Sequence, residues 1–217
     1  MKVLILDGHP DENRLLCHLL DHYQMSLDSE INVVRINVRD LEFTPNLKQG
    51  FGADQTHEPD LVRVADAIAE CDHIVVGFPL WWGAEPAMLK GLLDRVLLPG
   101  FAFKYHRENI WWDKLLTGRS ADLIVTMDTP PWLLRFFYLD PVMRRWRIQV
   151  FGFTGVKPMR AFRFGTTRRG GAAKGIAGWE KRLERAAKSI VGLKRGTKFT
   201  PVLSNANVVE ALKDRNS

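Results

Sequence analysis

Short continuous apolar runs alternate with stretches whose apolar residues recur every three or four positions, and this pattern holds from the first residues to about Leu193. Val3-Leu4-Ile5-Leu6, ending at Asp7-Gly8, has the pattern of a strand covered on both faces. After Gly8 to Asn13, the spacing of Leu15, Leu16, Leu19, Leu20 and Tyr23 predicts a helix, with Asp11 or Asn13 available to cap it. Ile31 to Ile36 reads as a second strand, and the polar stretch Asp40 to Pro59 as a long loop. Leu61, Val62, Val64, Ala65 and Ile68 restore helical spacing before a third strand, His73 to Phe78. Pro79 ends that strand because it has no amide proton to give, and Pro86 opens a helix whose stripe runs from Met88 to Leu97. A fourth strand (Ala121 to Thr126), a helix (Pro141 to Phe151), a fifth strand (Lys157 to Phe164) and a last helix (Ala173 to Leu193) follow. Beyond Lys198 the pattern carries no information.

Five strands separated by helices predict an open, doubly wound parallel sheet of order 2-1-3-4-5 in a single domain, with a core over about 1–193 and a tail over about 194–217. In such a sheet ligands settle outside the carboxyl ends of the strands, at the point where strand order reverses. That rule singles out three loops: Gly8 to Arg14, Pro79 to Glu85, and Met127 to Trp132. The first enters a helix and so presents unpaired amide protons at the positive end of a helix dipole. It suits an anion, with His9 or Arg14 adding charge-assisted bonds, although Asp11 and Glu12 would repel one if they faced it. The second holds adjacent Trp81 and Trp82 and the third reads Thr129-Pro130-Pro131-Trp132; both suit a flat ring, while paired tryptophans also serve as core filler.

Composition narrows the classes. At 217 residues, 46% hydrophobic and 26% charged, the chain is long enough to bury one sizeable core, and no apolar run approaches the ~20 residues a bilayer-spanning helix needs. Met1 to Asp7 shows no basic-then-apolar leader, so the expected location is the cytoplasm. Cys17 and Cys71 form no disulfide framework and no Cys-x-x-Cys, and both are expected reduced and partly buried. The net charge of +6 concentrates between Arg135 and Lys198, where the only acids are Asp140, Glu180 and Glu184. This half either attracts anions, such as phosphorylated cofactors or nucleic acid, or is a solvated basic surface; no recognition module accompanies the charge, so nucleic acid is not expected as a partner. His18 and His22 share a helix face beside Cys17 but lack the His-Glu-x-x-His arrangement, and no metal is expected. No nucleophile elbow, phosphate loop or Gly-x-Gly-x-x-Gly occurs, which removes the best support for hydrolase, P-loop and Rossmann dehydrogenase readings. The Arg168-Arg169-Gly170-Gly171 turn is a candidate grip for a nicotinamide nucleotide phosphate, or simply a basic loop before a helix.

The stretch Phe78-Pro79-Leu80-Trp81-Trp82-Gly83-Ala84-Glu85-Pro86-Ala87-Met88-Leu89-Lys90-Gly91-Leu92-Leu93-Asp94-Arg95-Val96, continuing to Gly100-Phe101-Ala102-Phe103, resembles the flavodoxin-like NAD(P)H:quinone oxidoreductases, as does Val3 to Leu15 with its His9. The resemblance implies a homodimer that binds FAD or FMN and passes hydride from NAD(P)H through the flavin to a quinone or similar acceptor. It places His9, Asn13, Arg14 and Leu15 on the flavin phosphate side. Pro79, Leu80, Trp81, Trp82 and Gly83 fall at the isoalloxazine edge, and Thr126, Met127, Asp128 and Thr129 on the other side. FAD is favoured over FMN through Gly100 to Phe103. Two departures stand out: Arg14 where the family has serine or threonine, and Thr126-Met127-Asp128-Thr129-Pro130 where it has a Thr-Gly-Gly turn. No residue matches the tyrosine and histidine that some members place over the ring, and Tyr138 is the nearest catalytic candidate. The run Trp132 to Leu139 is a candidate lid, dimer interface or buried segment, and stable membrane insertion is not expected. The alternative activity is that of a flavodoxin-like regulatory subunit controlling a partner such as an ion transporter.

Overall fold

A computed structural model describes residues 1–48, 50, 57–106, 108–168 and 170–216, the side chains of 212–216 excepted. In chain order the elements are β1 (Lys2–Asp7), α1 (Leu15–Met25), β2 (Asn32–Asn37), α2 (Pro59–Glu70), β3 (His73–Pro79), α3 (Ala87–Val96), β4 (Phe103–Tyr105), β5 (Trp112–Lys114), β6 (Ser120–Thr126), α4 (Pro131–Phe136), α5 (Pro141–Arg145), α6 (Gly152–Thr154), β7 (Met159–Phe164), α7 (Gly171–Lys188) and α8 (Asn205–Asn216). The five long strands form one parallel sheet in the order β2-β1-β3-β6-β7, the expected 2-1-3-4-5, while β4 and β5 pair separately as an antiparallel hairpin.

Alternation along the strands sorts the core onto two faces. Leu4, Leu6, Ile74, Val76 and Phe78 pack with α2 and α3 through Leu61, Val64, Leu89 and Leu92. Their neighbours Val3, Ile5, Val75 and Ile124 pack on the other face with α1 and α7 through Leu16, Leu20, Tyr23 and Leu183. β3 and β6 are buried at every position and read as near-continuous apolar runs, broken by His73, Ser120, Asp122 and Thr126, and each fully buried aliphatic side chain contributes roughly 1.5–3 kcal/mol.

Several expectations are corrected. The helix expected over Pro141 to Phe151 is α-helical only to Arg145 and continues as a π-helix over Trp146–Phe151. Trp132 to Leu139 is not a buried segment: Trp132, Phe136, Phe137, Tyr138 and Leu139 are all exposed, and only Leu134 turns inward. Neither Asp11 nor Asn13 caps α1, whose N-cap is Arg14 with no side-chain cap. The two cysteines are buried free thiols. Of the expected Asp40 to Pro59 loop, residues 49 and 51–56 lie outside the described residues, as does Arg169 of the Arg-Arg-Gly-Gly turn.

Part of the basic charge in the second half is paired with buried or half-buried carboxylates. Asp122 is fully buried and accepts from Tyr23 Oη at 2.6 Å and from Arg160 Nε at 2.6 Å and Nη2 at 2.5 Å, with His73 Nε2 at 3.3 Å. Arg163 pairs with Asp140, and Arg145 with buried Glu85. Arg119, also fully buried, ties the tail down: its guanidinium donates to the Ile68 and Ala69 carbonyls at the end of α2, to Thr117 O at 2.9 Å and to Phe199 O at 2.9 Å. The tail then seats α8 through buried Val208 and Ala211, with its Asn207 backbone against Gly100. Among the described residues, no helix is long and apolar enough to cross a membrane.

Candidate functional site

The carboxyl ends of β1, β3 and β6 lie side by side, and the first loop is pinned against β3. Gly8 N–H donates to the Gly77 carbonyl at 2.8 Å, an approach so close that a Cβ on Gly8 would lie 2.6 Å from Leu89 Cδ2 and 2.9 Å from Gly77 O. Only glycine lets the chain pass there. The next residue is fixed by its neighbours. His9 N–H donates to Asp7 Oδ1 at 3.0 Å, and the buried Asp7 carboxylate is also held by Arg39 Nη1 at 3.1 Å and Arg35 Nη2 at 3.4 Å. His9 Nδ1 accepts the Asp11 amide proton at 3.0 Å, which puts the ring proton on Nε2 and leaves that N–H as a donor. Burial lowers the His9 pKa from its ordinary 6.5, so the ring is neutral at pH 7. Its edge meets Trp81, with ring centroids 5.9 Å apart.

The loop after β3 turns sharply. Trp81 and Ala84 exchange two backbone hydrogen bonds of 2.9 Å, and Trp82 and Gly83, at φ 51° and 82°, supply the two left-handed positions of a type I′ turn. The turn is anchored from behind by Glu85, whose carboxylate is buried against Arg145 and the Trp146 indole N–H. On the other side Leu80 N–H donates to Thr126 O at 2.8 Å, Met127 N–H to Phe164 O at 2.8 Å, and Thr167 N–H to Met127 O at 3.1 Å, so the loops after β3, β6 and β7 are laced together. The Thr167 hydroxyl and the Arg168 guanidinium both hold the Asp128 carboxylate.

These loops enclose a cavity of about 230 Å³ lined by His9, Arg14, Leu15, Leu16, Pro79, Leu80, Trp81, Thr126, Met127, Asp128 and Thr167. It lies at the crevice the strand order singles out. The sequence candidates Asn13, Trp82, Gly83 and Thr129 do not line it: Asn13 stands exposed at φ 53°, and Trp82 and Gly83 form the turn's tip, where the Trp82 indole is fully exposed. Tyr138 lines a different cavity, of about 410 Å³, with Leu139, Pro141, Arg144, Arg145, Ile148 and Gln149. Leu16 and Thr167 are additions. Leu16 reads in the sequence as part of α1's apolar stripe, and Thr167 follows the fifth strand, a carboxyl-end loop that the topology rule covers but that no composition signal marks.

The chemistry of the cavity divides by wall. At one end the first turn of α1 carries no acidic residue and no side-chain cap, so its amide protons remain available beside the His9 Nε2–H and the Arg14 guanidinium. Asp11 and Glu12 do not line the cavity; Asp11 is turned to Arg14 in an exposed ion pair, which lowers its pKa. The other walls are the flat Trp81 ring and the backbone and short side chains of Thr126 to Asp128. This donor set fits a phosphate ester at the α1 end and a planar ring against Trp81. Among the described residues, no group of His, Cys, Asp and Glu could hold a metal ion, and His18 Nε2 lies 2.7 Å from Glu180 Oε1.

Comparison with known proteins agrees with this geometry. An uncharacterized NAD(P)H oxidoreductase of Escherichia coli, YcaK, is 30% identical over 133 residues, covering 57% of this chain and 68% of that protein. NAD(P)H dehydrogenase [quinone] 1 of Cavia porcellus is 31% identical over 134 residues, 58% of this chain and 48% of the relative, so the match spans about half of that longer protein. The FMN-dependent NADH-azoreductase of Bacillus anthracis, solved in complex with FMN, superposes with a TM-score of 0.71 at 21% identity, over 86% of this chain and 97% of that one. A family model for the flavodoxin-like fold matches residues 1–190, and the chain belongs to that family.

Proposed function

We propose that this protein is a flavin-dependent NAD(P)H:quinone oxidoreductase. The observation that carries the proposal is the cavity at the switch point, with phosphate-binding chemistry at one end and an aromatic wall at the other. The relatives point the same way, since those of 30% identity or more include an NAD(P)H oxidoreductase and a quinone dehydrogenase. Bound flavin would supply the two-electron chemistry between NAD(P)H and the acceptor.

The residues of the chain position and shield that chemistry. The α1 amides, His9 Nε2–H and Arg14 bind the phosphate, and Leu15 and Leu16 close the apolar floor beside it. Pro79, Leu80 and Trp81 present one wall to the ring, and Thr126, Met127 and Asp128 offer polar groups to its opposite side. Asn13, Trp82, Gly83 and Thr129 act from outside the cavity wall, and Tyr138 from the separate cavity beside α5.

The cavity supports the mononucleotide half that FMN and FAD share. Gly100 to Phe103, on which the sequence preference for FAD rests, is packed under α8 and does not line it. The exposed row Trp132, Phe136, Phe137, Tyr138, Leu139 and Ile148 is the face a second copy would cover, which supports a homodimer.

Steady-state kinetics test the proposal. With flavin added, NADH or NADPH oxidation is expected to require a quinone and to give parallel double-reciprocal lines, because donor and acceptor use one slot in turn. Absence of quinone-dependent oxidation with either nucleotide and either flavin would refute it.

A further inference from the structure

Among the described residues, Arg14 is the one guanidinium lining the cavity, yet its partner is a carboxylate of its own loop. Both its Nε, at 2.6 Å, and its Nη2 converge on a single oxygen of Asp11, Oδ2, rather than forming the two parallel bonds that make an arginine fork strong. Besides Arg14, the Asp11 carboxylate is met by the backbone N–H of Glu12, the next residue of its own loop. Both side chains are more than half exposed, and ion pairs of that kind are worth little. The Asp11 backbone is fixed independently of its carboxylate: its N–H goes to His9 Nδ1 at 3.0 Å and its carbonyl receives the Cys17 thiol at 3.8 Å. Its carboxylate can therefore swing away without disturbing the loop or the His9 tautomer.

We propose that Asp11 is a built-in competitor for the cofactor's phosphate: it occupies Arg14 until a phosphorylated flavin takes the guanidinium over, and it thereby sets how strongly this site prefers phosphorylated flavins. The inference rests on the flavin reading above. A phosphate brings nearly two charges and several acceptor oxygens to a guanidinium that sits beside an uncapped helix start, so it outcompetes one carboxylate oxygen. The cost of displacing Asp11 is subtracted from the affinity for FMN and leaves riboflavin, which has no phosphate, untouched.

The test is a double-mutant cycle of Asp11→Asn and Arg14→Gln on the full-length apoprotein, with FMN and riboflavin affinities read by fluorescence quenching and circular dichroism checking that each variant folds. Asp11→Asn is expected to tighten FMN about two- to five-fold and leave riboflavin unchanged. Arg14→Gln is expected to weaken FMN by about ten-fold or more, and in that background Asp11→Asn should have no effect on FMN. An unchanged FMN affinity in Asp11→Asn, an equal gain for riboflavin, or a gain that persists without Arg14 would overturn the inference while leaving the flavin reading standing. Wild-type protein that quenches neither flavin would remove the flavin reading and this inference with it.

Discussion

Trp82 is a fully exposed indole on a backbone with φ 51°, a conformation that costs a non-glycine residue roughly 1–2 kcal/mol. Among the described residues nothing offsets that cost, since the side chain buries no area. Replacing it with glycine relieves the strain, and the greater freedom of glycine in the unfolded chain takes back roughly 0.5–1 kcal/mol. Trp82→Gly is therefore expected to leave the unfolding free energy of the apo monomer unchanged or raise it by up to about 1.5 kcal/mol. The type I′ turn itself favours glycine at both central positions, so the Trp81 to Ala84 bonds should survive. Urea denaturation followed by far-ultraviolet circular dichroism, at a protein concentration where the chain is monomeric, measures this. A loss of more than about 1 kcal/mol would refute the reasoning, because it would mean that the indole is packed. The strain is then expected to be repaid from outside the chain, by the cofactor or a second copy. The same variant should weaken flavin binding or self-association by about five-fold or more, the equivalent of the ~1 kcal/mol that an aromatic contact supplies.

Three further outcomes follow from the geometry. Gly8→Ala places a Cβ 2.9 Å from Gly77 O and 2.6 Å from Leu89 Cδ2, and overpacking of this kind should cost about 1–3 kcal/mol in urea and loosen flavin binding through the displaced His9 loop. Asp122→Asn removes the charge that Arg160 and Tyr23 share in the buried network, and a loss of about 3–5 kcal/mol is expected, against about 1.5–3 kcal/mol for Tyr23→Phe; equal losses would show that the tyrosine bond, not the ion pair, dominates. His73 is buried and its pKa is lowered from 6.5 chiefly by desolvation, so below about pH 6.5 the unfolded chain binds a proton that the native state refuses. Stability should fall as pH drops from 7 toward 5, by up to about 1.4 kcal/mol per pH unit from this group. His9 and His57 add in the same sense and His106 opposes, so the slope of wild type minus that of His73→Gln isolates the residue; no difference in slope would contradict the assignment.

The sheet was legible because strands buried on both faces are mostly apolar: Val3 to Leu6, Ile74 to Phe78 and Leu123 to Val125 each read as one run, and the buried polar residues His73 and Asp122 fall at or near the strand starts. The crevice was legible because strand order alone places it. What escaped was structure whose cause lies in long-range partners. The hairpin Phe103–Tyr105 and Trp112–Lys114 has strands of three residues, too short for any period to show. The helix Asn205–Asn216 has a weak apolar stripe and follows a tail tied down at Phe199 by Arg119, a residue that composition counts as surface charge but that lies fully buried among backbone carbonyls. Within the cavity, Arg14 and Trp81 were nameable because they sit in loops after strands. Trp82, one residue on, turns outward because the I′ turn sends adjacent positions opposite ways, and Asp11 turns to Arg14 instead of capping α1. Neither orientation is written in residue type.

The most direct test is to purify the protein, release any bound small molecule by heat, identify it by mass, and titrate the apoprotein with FMN and with FAD. The account predicts one flavin per chain, seated at the crevice between β1 and β3 and lost on Arg14→Gln combined with His9→Ala. Colourless protein that quenches the fluorescence of neither flavin would contradict it.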